Sequence, residues 1–319
     1  MTEAGAAESE ERLIRLVERL LQSGALSTQD PAVDASLFGR MGFDVTAGEI
    51  TIPADIERLD EARIIEGLST RAREWLSELH VFPVIGSTSS ALMQRAEQAS
   101  VQGVVNLAEL QVRGRGRRGR TWLSPFARNL AMSLGVWLPQ PPQELGGFSL
   151  AVGLATVDVL ASHGIAEVEL KWPNDVLLAG KKLAGVLIEL IPRERGTELV
   201  VGIGMNLQLP EAARLDIDQP ATDLAQTGVS IARNDLAARL LSSIVDYTDG
   251  FAARGFAPMQ SAFDQHHRLQ GSACHLVQGS TVIEGVVLGV TAQGELLLNT
   301  AEGTRAFSAG EVSLRSAGV

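Results

Sequence analysis

The chain has 319 residues, of which 45% are hydrophobic, 20% charged and 4% aromatic, and its formal net charge is -11. That composition suits a globular protein with room for two or three domains. It excludes several classes. No apolar run approaches the roughly 20 residues of a membrane span, so no membrane partner is expected, and the acidic start does not read as a signal peptide, which makes the cytoplasm the expected location. One cysteine, Cys274, rules out a disulfide framework or a cysteine-based zinc cluster, and the five histidines show no ligand spacing, so no protein-held metal is expected.

In chain order, Leu13, Ile14, Val17, Leu20 and Leu21 share one helical face and Gly24 follows as a stop, which predicts a helix over 11–22. Phe43, Val45, Ile50 and Ile52 around Ala47-Gly48 predict a hairpin, with a second helix over 56–67. Helix, hairpin, helix is the order of a winged helix, a DNA-reading module. Residues 1–70, however, carry fourteen acidic side chains and six arginines, a net of -8, and a phosphate backbone would be repelled.

From residue 76 the character changes. Val81-Phe82-Pro83-Val84-Ile85 reads as a strand, followed by Gly86-Ser87-Thr88-Ser89-Ser90 and a helix over 91–99. The hydroxyls there either cap the helix or meet a polar ligand at its N-terminus. Further strands are expected over 104–110, 130–138 and 167–172. A helix is expected over 148–164, a hairpin joins 176–178 to 183–190 across Ala179-Gly180-Lys181, and a buried strand covers 199–207. Residues 210–220 form an acidic loop able to close over a site.

The stretch Gln111-Val-Arg-Gly-Arg-Gly-Arg-Arg-Gly-Arg-Thr-Trp122 concentrates positive charge in an acidic protein and asks for an anionic ligand. Glycines allow close backbone approach, and guanidinium forks suit phosphate or carboxylate. Residues 114–119 literally match the dinucleotide fingerprint G-x-G-x-x-G, but no helix begins at the last glycine and no acid follows about 20 residues on, which disfavours a nicotinamide dehydrogenase. A disordered RNA-binding Arg-Gly tract is disfavoured by the strand-like flanks. Lys182, at a strand start, is either solvated or part of the site. Trp122 is either core or a stacking platform, and for Trp172 the core reading is the better one.

Gly-Arg-Gly-Arg-Arg-Gly-Arg-Thr-Trp at 114–122, Lys-Trp-Pro-Asn-Asp at 171–175, Lys-Lys-Leu-Ala-Gly-Val-Leu-Ile-Glu at 181–189 and Gly-Ile-Gly-Met-Asn at 202–206 together resemble biotin–protein ligase, in that family's order and spacing. The resemblance runs from about residue 81 to the C-terminus, where 309–316 also fits. It implies an α+β fold of the class II synthetase-like biotin/lipoate ligase type. A central mixed β-sheet with helices occupies 76–268 and a small SH3-like all-β barrel 269–319, preceded by a shortened, degenerate winged-helix-like region over 1–75. It implies ATP and Mg²⁺ as cofactors, with the metal carried on the ATP phosphates, and biotin as substrate. Biotin is activated to biotinyl-AMP and passed to a lysine of a biotin carboxyl carrier protein of acetyl-CoA carboxylase or a related carboxylase.

Carried over by position, Arg115, Arg117 and Lys182 would be catalytic. Ser87, Thr88, Ser89, Gln111, Arg115, Gly116, Arg117, Lys182 and Gly185 would contact biotin, and Arg117, Arg120, Trp122, Asn174, Lys182 and Asn206 the nucleotide. The chain departs from the family pattern in having Gly86 and Ser89 where an acid and an amide are frequent, and Arg113 where a small residue is usual. After a helix over 233–254, short strands at 277–279, 282–290, 296–299 and 312–314 predict the barrel, from which Glu311 and Arg315 either reach the nucleotide or form a rim ion pair. A lipoate or octanoate ligase of the same fold is the nearest rival, although its following histidine is missing here, and a DNA-binding biotin-responsive repressor is the rival from another class. A homodimer, or docking of the carrier, would use an open sheet edge.

Overall fold

The computed structural model describes residues 3–278, 281–308 and 313–316, with side chains over 8–278 and 281–308. Helix α1 (Glu3–Ser23) carries the expected apolar face, with Val17 and Leu20 fully buried. It ends at Gly24, whose φ of +81° is one that a residue with a Cβ rarely adopts. The chain continues through β1 (Ala25–Ser27), α2 (Ala35–Arg40), β2 (Asp44–Val45) and β3 (Glu49–Thr51), paired as a three-stranded sheet in the order β1-β3-β2. The expected hairpin is present. A single six-residue helix stands between β1 and that hairpin.

The second expected helix begins late. Asp60 caps α3 (Glu61–Gly67) by accepting from the Arg63 amide, and α4 (Thr70–Trp75) follows with Ser69 as its cap. Apolar packing changes partner in between. Ile56 packs with the N-terminal module, whereas Leu59, Ile64, Leu68 and Ala72 join the main core. A division at residue 75 therefore separates segments of chain but not packing units.

The central sheet is built from β4 (Glu78–Phe82), β5 (Val104–Ala108), β6 (Asn129–Leu138), β7 (Val168–Lys171), β8 (Asp175–Leu178), β9 (Lys181–Pro192) and β10 (Thr197–Asn206), in the order β4-β5-β6-β10-β9-β8-β7. The β4–β5 pair is parallel and the other pairs are antiparallel, so the sheet is mixed. Strand β4 stops before Pro83, which has no N–H for the ladder. Helix α5 (Thr88–Ala96) packs on β5, β6 and β10, while α6 (Phe148–Ser162) packs with α8 (Arg233–Arg254) and on the sheet. The acidic loop contains one turn, α7 (Glu211–Arg214), and α9 (Gln260–His266) was not anticipated.

Strands β4 and β7 stand at the two edges of the sheet. The Val81 amide of β4 donates to Glu61 Oε1 at 2.8 Å, and β7 is bridged at Leu170 by His267, with Arg268 N donating to Leu170 O at 2.8 Å. Each outer strand of the central sheet thus has one backbone group engaged by a neighbouring element. The C-terminal unit is a five-stranded antiparallel sheet of β11 (Ala273–Gln278), β12 (Thr281–Val290), β13 (Leu296–Thr300), β14 (Gly303–Phe307) and β15 (Ser313–Ser316), in the order β14-β13-β12-β11-β15. Strand β14, Gly-Thr-Arg-Ala-Phe, lacks apolar alternation and is legible only from its pairing with β13. Glu311 and the Arg315 side chain lie outside the described residues.

The C-terminal sheet is tied to the central one through Trp172, whose backbone His267 supports. Trp172 is buried, as the core reading required, and its indole N–H donates to Gly294 O at 3.0 Å. His267 is buried against Phe263, and its Nε2 accepts from the Trp172 amide at 3.4 Å. Burial lowers the His267 pKa to about 4 from the ordinary 6.5. The folded protein therefore refuses a proton that the unfolded chain accepts. Stability from this site is complete above pH 6.5 and falls as the pH drops toward 4, by about 3 kcal/mol in all. His267→Leu should flatten that acid limb in thermal melts between pH 4 and 7, and an unchanged limb would refute the assignment.

Candidate active site

At the N-terminus of α5, Ser87 caps the helix by accepting from the Ser90 amide. The Thr88 amide and hydroxyl both donate to Gln111 Oε1, at 2.8 and 3.1 Å. Thr88 Oγ1 and Ser89 Oγ each lie within 2.9 Å of Ser133 Oγ on β6. Gln111, Thr88, Ser133 and Ser89 thus form one buried polar chain, able to donate to and accept from a neutral polar ligand. Gly202 leaves room for it, since a Cβ there would lie 2.5 Å from Ser89 Oγ.

The Arg-Gly stretch folds into an ordered hairpin. Its base is held by Trp122 N donating to Gly114 O at 2.9 Å and its tip by Gly116 N donating to Arg120 O at 2.8 Å, with Arg118 and Gly119 turned through positive φ. Arg117 reaches across to Asn174, donating to Oδ1 at 3.0 Å, while Asn174 Nδ2 holds Val186 O on β9 at 2.8 Å. Burial, and secondarily the neighbouring Arg118, lower the pKa of the Arg117 guanidinium, against the opposing pull of Asp175. Lys182 is pinned by Asp175, Nζ to Oδ1 2.7 Å, and lies 5.5 Å from the Trp122 ring centre. The same Oδ1 accepts no hydrogen bond of good geometry, so this contact is one of charge. The Trp122 ring rests against Gly204, where a Cβ would overlap the indole, and its N–H has no partner among the described residues.

These groups line one cavity of about 760 Å³. Ser87, Thr88, Ser89, Gln111, Arg115, Gly116, Arg117, Arg120, Trp122, Asn174, Lys182 and Gly185 are all among its walls, together with Asp216, Asp218 and Gln219 of the acidic loop. Two of the expected residues have other partners here. Asn206 does not line the cavity. It is buried, and its Nδ2 donates to Thr222 O at 3.0 Å, which fastens the chain just beyond the acidic loop. Arg115 lines the cavity but is held by Glu189 of β9 through two contacts, at 2.8 and 3.0 Å, which engage its charge with a carboxylate.

Sequence reasoning missed Ser133, Glu189 and Asp175 as members of the site. A serine inside the otherwise apolar 130–138 strand was a readable signal, because a polar group in a buried strand needs a partner. Glu189 gave no comparable sign.

A mixed sheet carrying an arginine–glycine hairpin over a cavity of this kind defines a protein class. The profile of the Biotin/lipoate A/B protein ligase family matches residues 81–206, and that of the Biotin protein ligase C terminal domain matches 271–315. The bifunctional ligase/repressor BirA of Salmonella typhimurium is 34% identical over 276 residues, covering 86% of this chain and 84% of its own. The biotin–[acetyl-CoA-carboxylase] ligase of Mycobacterium tuberculosis is 36% identical over 268 residues, covering 80% and 95%. Among solved structures, the biotin protein ligase from Aquifex aeolicus in complex with biotin and ATP superposes with a TM-score of 0.64 at 30% identity, covering 76% of this chain and all of that one. The chain belongs to the biotin protein ligase family.

Proposed function

We propose that the protein joins biotin to a lysine of a biotin carboxyl carrier protein in two ATP-dependent steps, in the cytoplasm. One observation carries this: an uncharged hydroxyl–amide chain (Gln111, Thr88, Ser133, Ser89) and a cationic group (Arg117, Lys182, with Asn174) line the same cavity. The first suits a ureido ring and the second two anions that must meet. In the first step a carboxylate oxygen of biotin attacks the α-phosphorus of ATP. The bond to the bridging oxygen breaks and pyrophosphate leaves with its electron pair. Arg117 and Lys182 hold the two anions together and offset charge on the pentavalent phosphorus. In the second step the neutral lysine amine attacks the acyl carbon of the anhydride, its proton passes to solvent, and AMP leaves.

Trp122, beside Lys182, offers a face for adenine. The hairpin, latched to β9 by Arg115 and Glu189, shields the anhydride from water. Mg²⁺ would ride on the phosphates. No group of three or more metal-ligating side chains exists among the described residues, but the partly buried Asp175 carboxylate, held by the Lys182 charge and with an Oδ1 that accepts no hydrogen bond, fits a cation that keeps mostly phosphate and water ligands. Bound there, the metal would neutralise phosphate charge. A repressor role is disfavoured by the acidity of residues 1–70 and by the single six-residue helix between β1 and the hairpin.

The test is pyrophosphate release with ATP and Mg²⁺, using biotin, lipoate or octanoate as the acid, followed by mass analysis of the carrier. Release that requires biotin, with one biotinyl amide on the carrier, is expected. Release with lipoate but not biotin would assign the rival activity instead.

A further inference from the structure

Glu10 of α1 touches the ligand-binding stretches directly. Its Oε2 lies 3.3 Å from Arg113 Nη1, and its side chain is 24% exposed. The Arg113 amide donates to Gly86 O at 2.9 Å and the Val112 amide to Ile85 O at 3.0 Å, so residues 85–86 and 112–113 run side by side. One step inward are Ser87, Thr88 and Gln111, already linked by the Thr88–Gln111 contacts. The backbone of Gly86 is not in the left-handed region, so the turn does not demand glycine. The Glu10 carboxylate occupies the space beside it: a Cβ at 86 would overlap that carboxylate and displace it. The two departures from the family pattern on this rim, Gly86 in place of an acid and Arg113 in place of a small residue, therefore meet at one carboxylate.

We infer that Glu10 supplies, from the N-terminal helix, the carboxylate that the motif lacks at position 86, and that it acts as a positioning residue holding 86–88 against 111–113. This rests on the ligase reading of the cavity. The N-terminal module then forms part of the rim of the biotin site. Its apolar cluster supports this, because Phe38, Phe43 and Ile50 pack in one group with Val84, Leu110 and Phe126 on either side of the same stretches. Arg113 is 69% exposed, so direct charge attraction is weak and the contribution comes from filled space and register.

The experiment follows biotin release from the full-length protein without ATP, and amide hydrogen exchange at Arg113 and Thr88, in Glu10→Ala, Gly86→Ala, the double variant and Glu10→Ala/Gly86→Asp. Each single change is expected to speed release by about 3- to 10-fold, the size of a rim contact. The double alanine variant should be no worse than either single, because a methyl at 86 already displaces the carboxylate. Glu10→Ala/Gly86→Asp should return release to within about twofold of the parent, with exchange at Arg113 slowed again. Additive single effects, or no rescue by aspartate, would overturn the inference, as would normal release in Glu10→Ala. Melting curves identify any variant that loses its fold, and Glu10→Gln, which keeps the volume, then takes its place. A parent protein that binds no biotin would overturn the ligase reading alone, since exchange at Arg113 still reports the contact.

Discussion

Lys182→Ala is expected to slow biotin-dependent pyrophosphate release by about 10²- to 10³-fold, the usual loss when one fixed charge is removed from a developing anionic centre. The geometry supports an effect of that size. Nζ is only partly exposed, is fixed 2.7 Å from Asp175 Oδ1 and lies over the Trp122 ring, so little reorganisation is needed when the phosphate arrives. The backbone of Lys182 also carries the acidic loop, its N–H donating to Pro220 O and its C=O accepting from Thr222 N, both at 2.9 Å. Alanine keeps both of these bonds, so the acidic loop should stay in place while the chemistry fails. Lys182→Arg should rescue poorly, because a planar fork does not replace a point charge in that slot. A loss below about tenfold in single-turnover pyrophosphate release, a far smaller share of the barrier than one fixed charge carries, would remove Lys182 from the catalytic group.

Glu109→Ala should cost about 3–5 kcal/mol of stability, the range found when one partner of a buried ion pair is deleted. Glu109 is fully buried at the end of the β5 segment. Its carboxylate accepts from Arg233 Nη1 at 2.5 Å, from Arg58 Nε at 3.0 Å and from the Leu59 amide at 2.7 Å. Arg233 is 4% exposed, and burial already lowers its pKa. Without Glu109 its charge would be stranded beneath the strand that leads into the Arg-Gly hairpin. Urea unfolding measures the loss through the midpoint at constant slope. Glu109→Gln, which retains an acceptor but not the charge, should lose less. A cost below about 1 kcal/mol for the alanine variant, no more than an exposed pair is worth, would show that water supports Arg233 there.

The local elements were legible because they rest on local chemistry. The alternation of 167–172, the two-residue Ala179-Gly180 turn and the apolar face of α1 each depend on residues a few positions apart. The cationic hairpin announced an anion site for the same reason: five arginines and three glycines in ten residues have few other uses. Strand β14 was not legible because it is exposed along most of its length and shows no apolar alternation, and helix α9 because it packs on elements distant in sequence. The start of α3 was misread because Asp60, a side-chain cap, outweighs the helical pattern that begins at Ile56.

The sequence by itself determined which chemistry the protein can do. The residue types that cradle anions and the motifs that carry the family resemblance lie in short runs, and residue type alone fixes which functional group each position carries. Only the tertiary structure decided which members of those runs face the cavity. It engaged Asn206 with the chain just beyond the acidic loop, set Glu189 against Arg115, placed Ser133 beneath Ser89 and Thr88, and brought Glu10 to the space left at Gly86. Each of these contacts joins residues far apart in the chain. Their positions follow from the stacking and register of a seven-stranded sheet, which is set by the sum of buried apolar contacts and not by any local pattern.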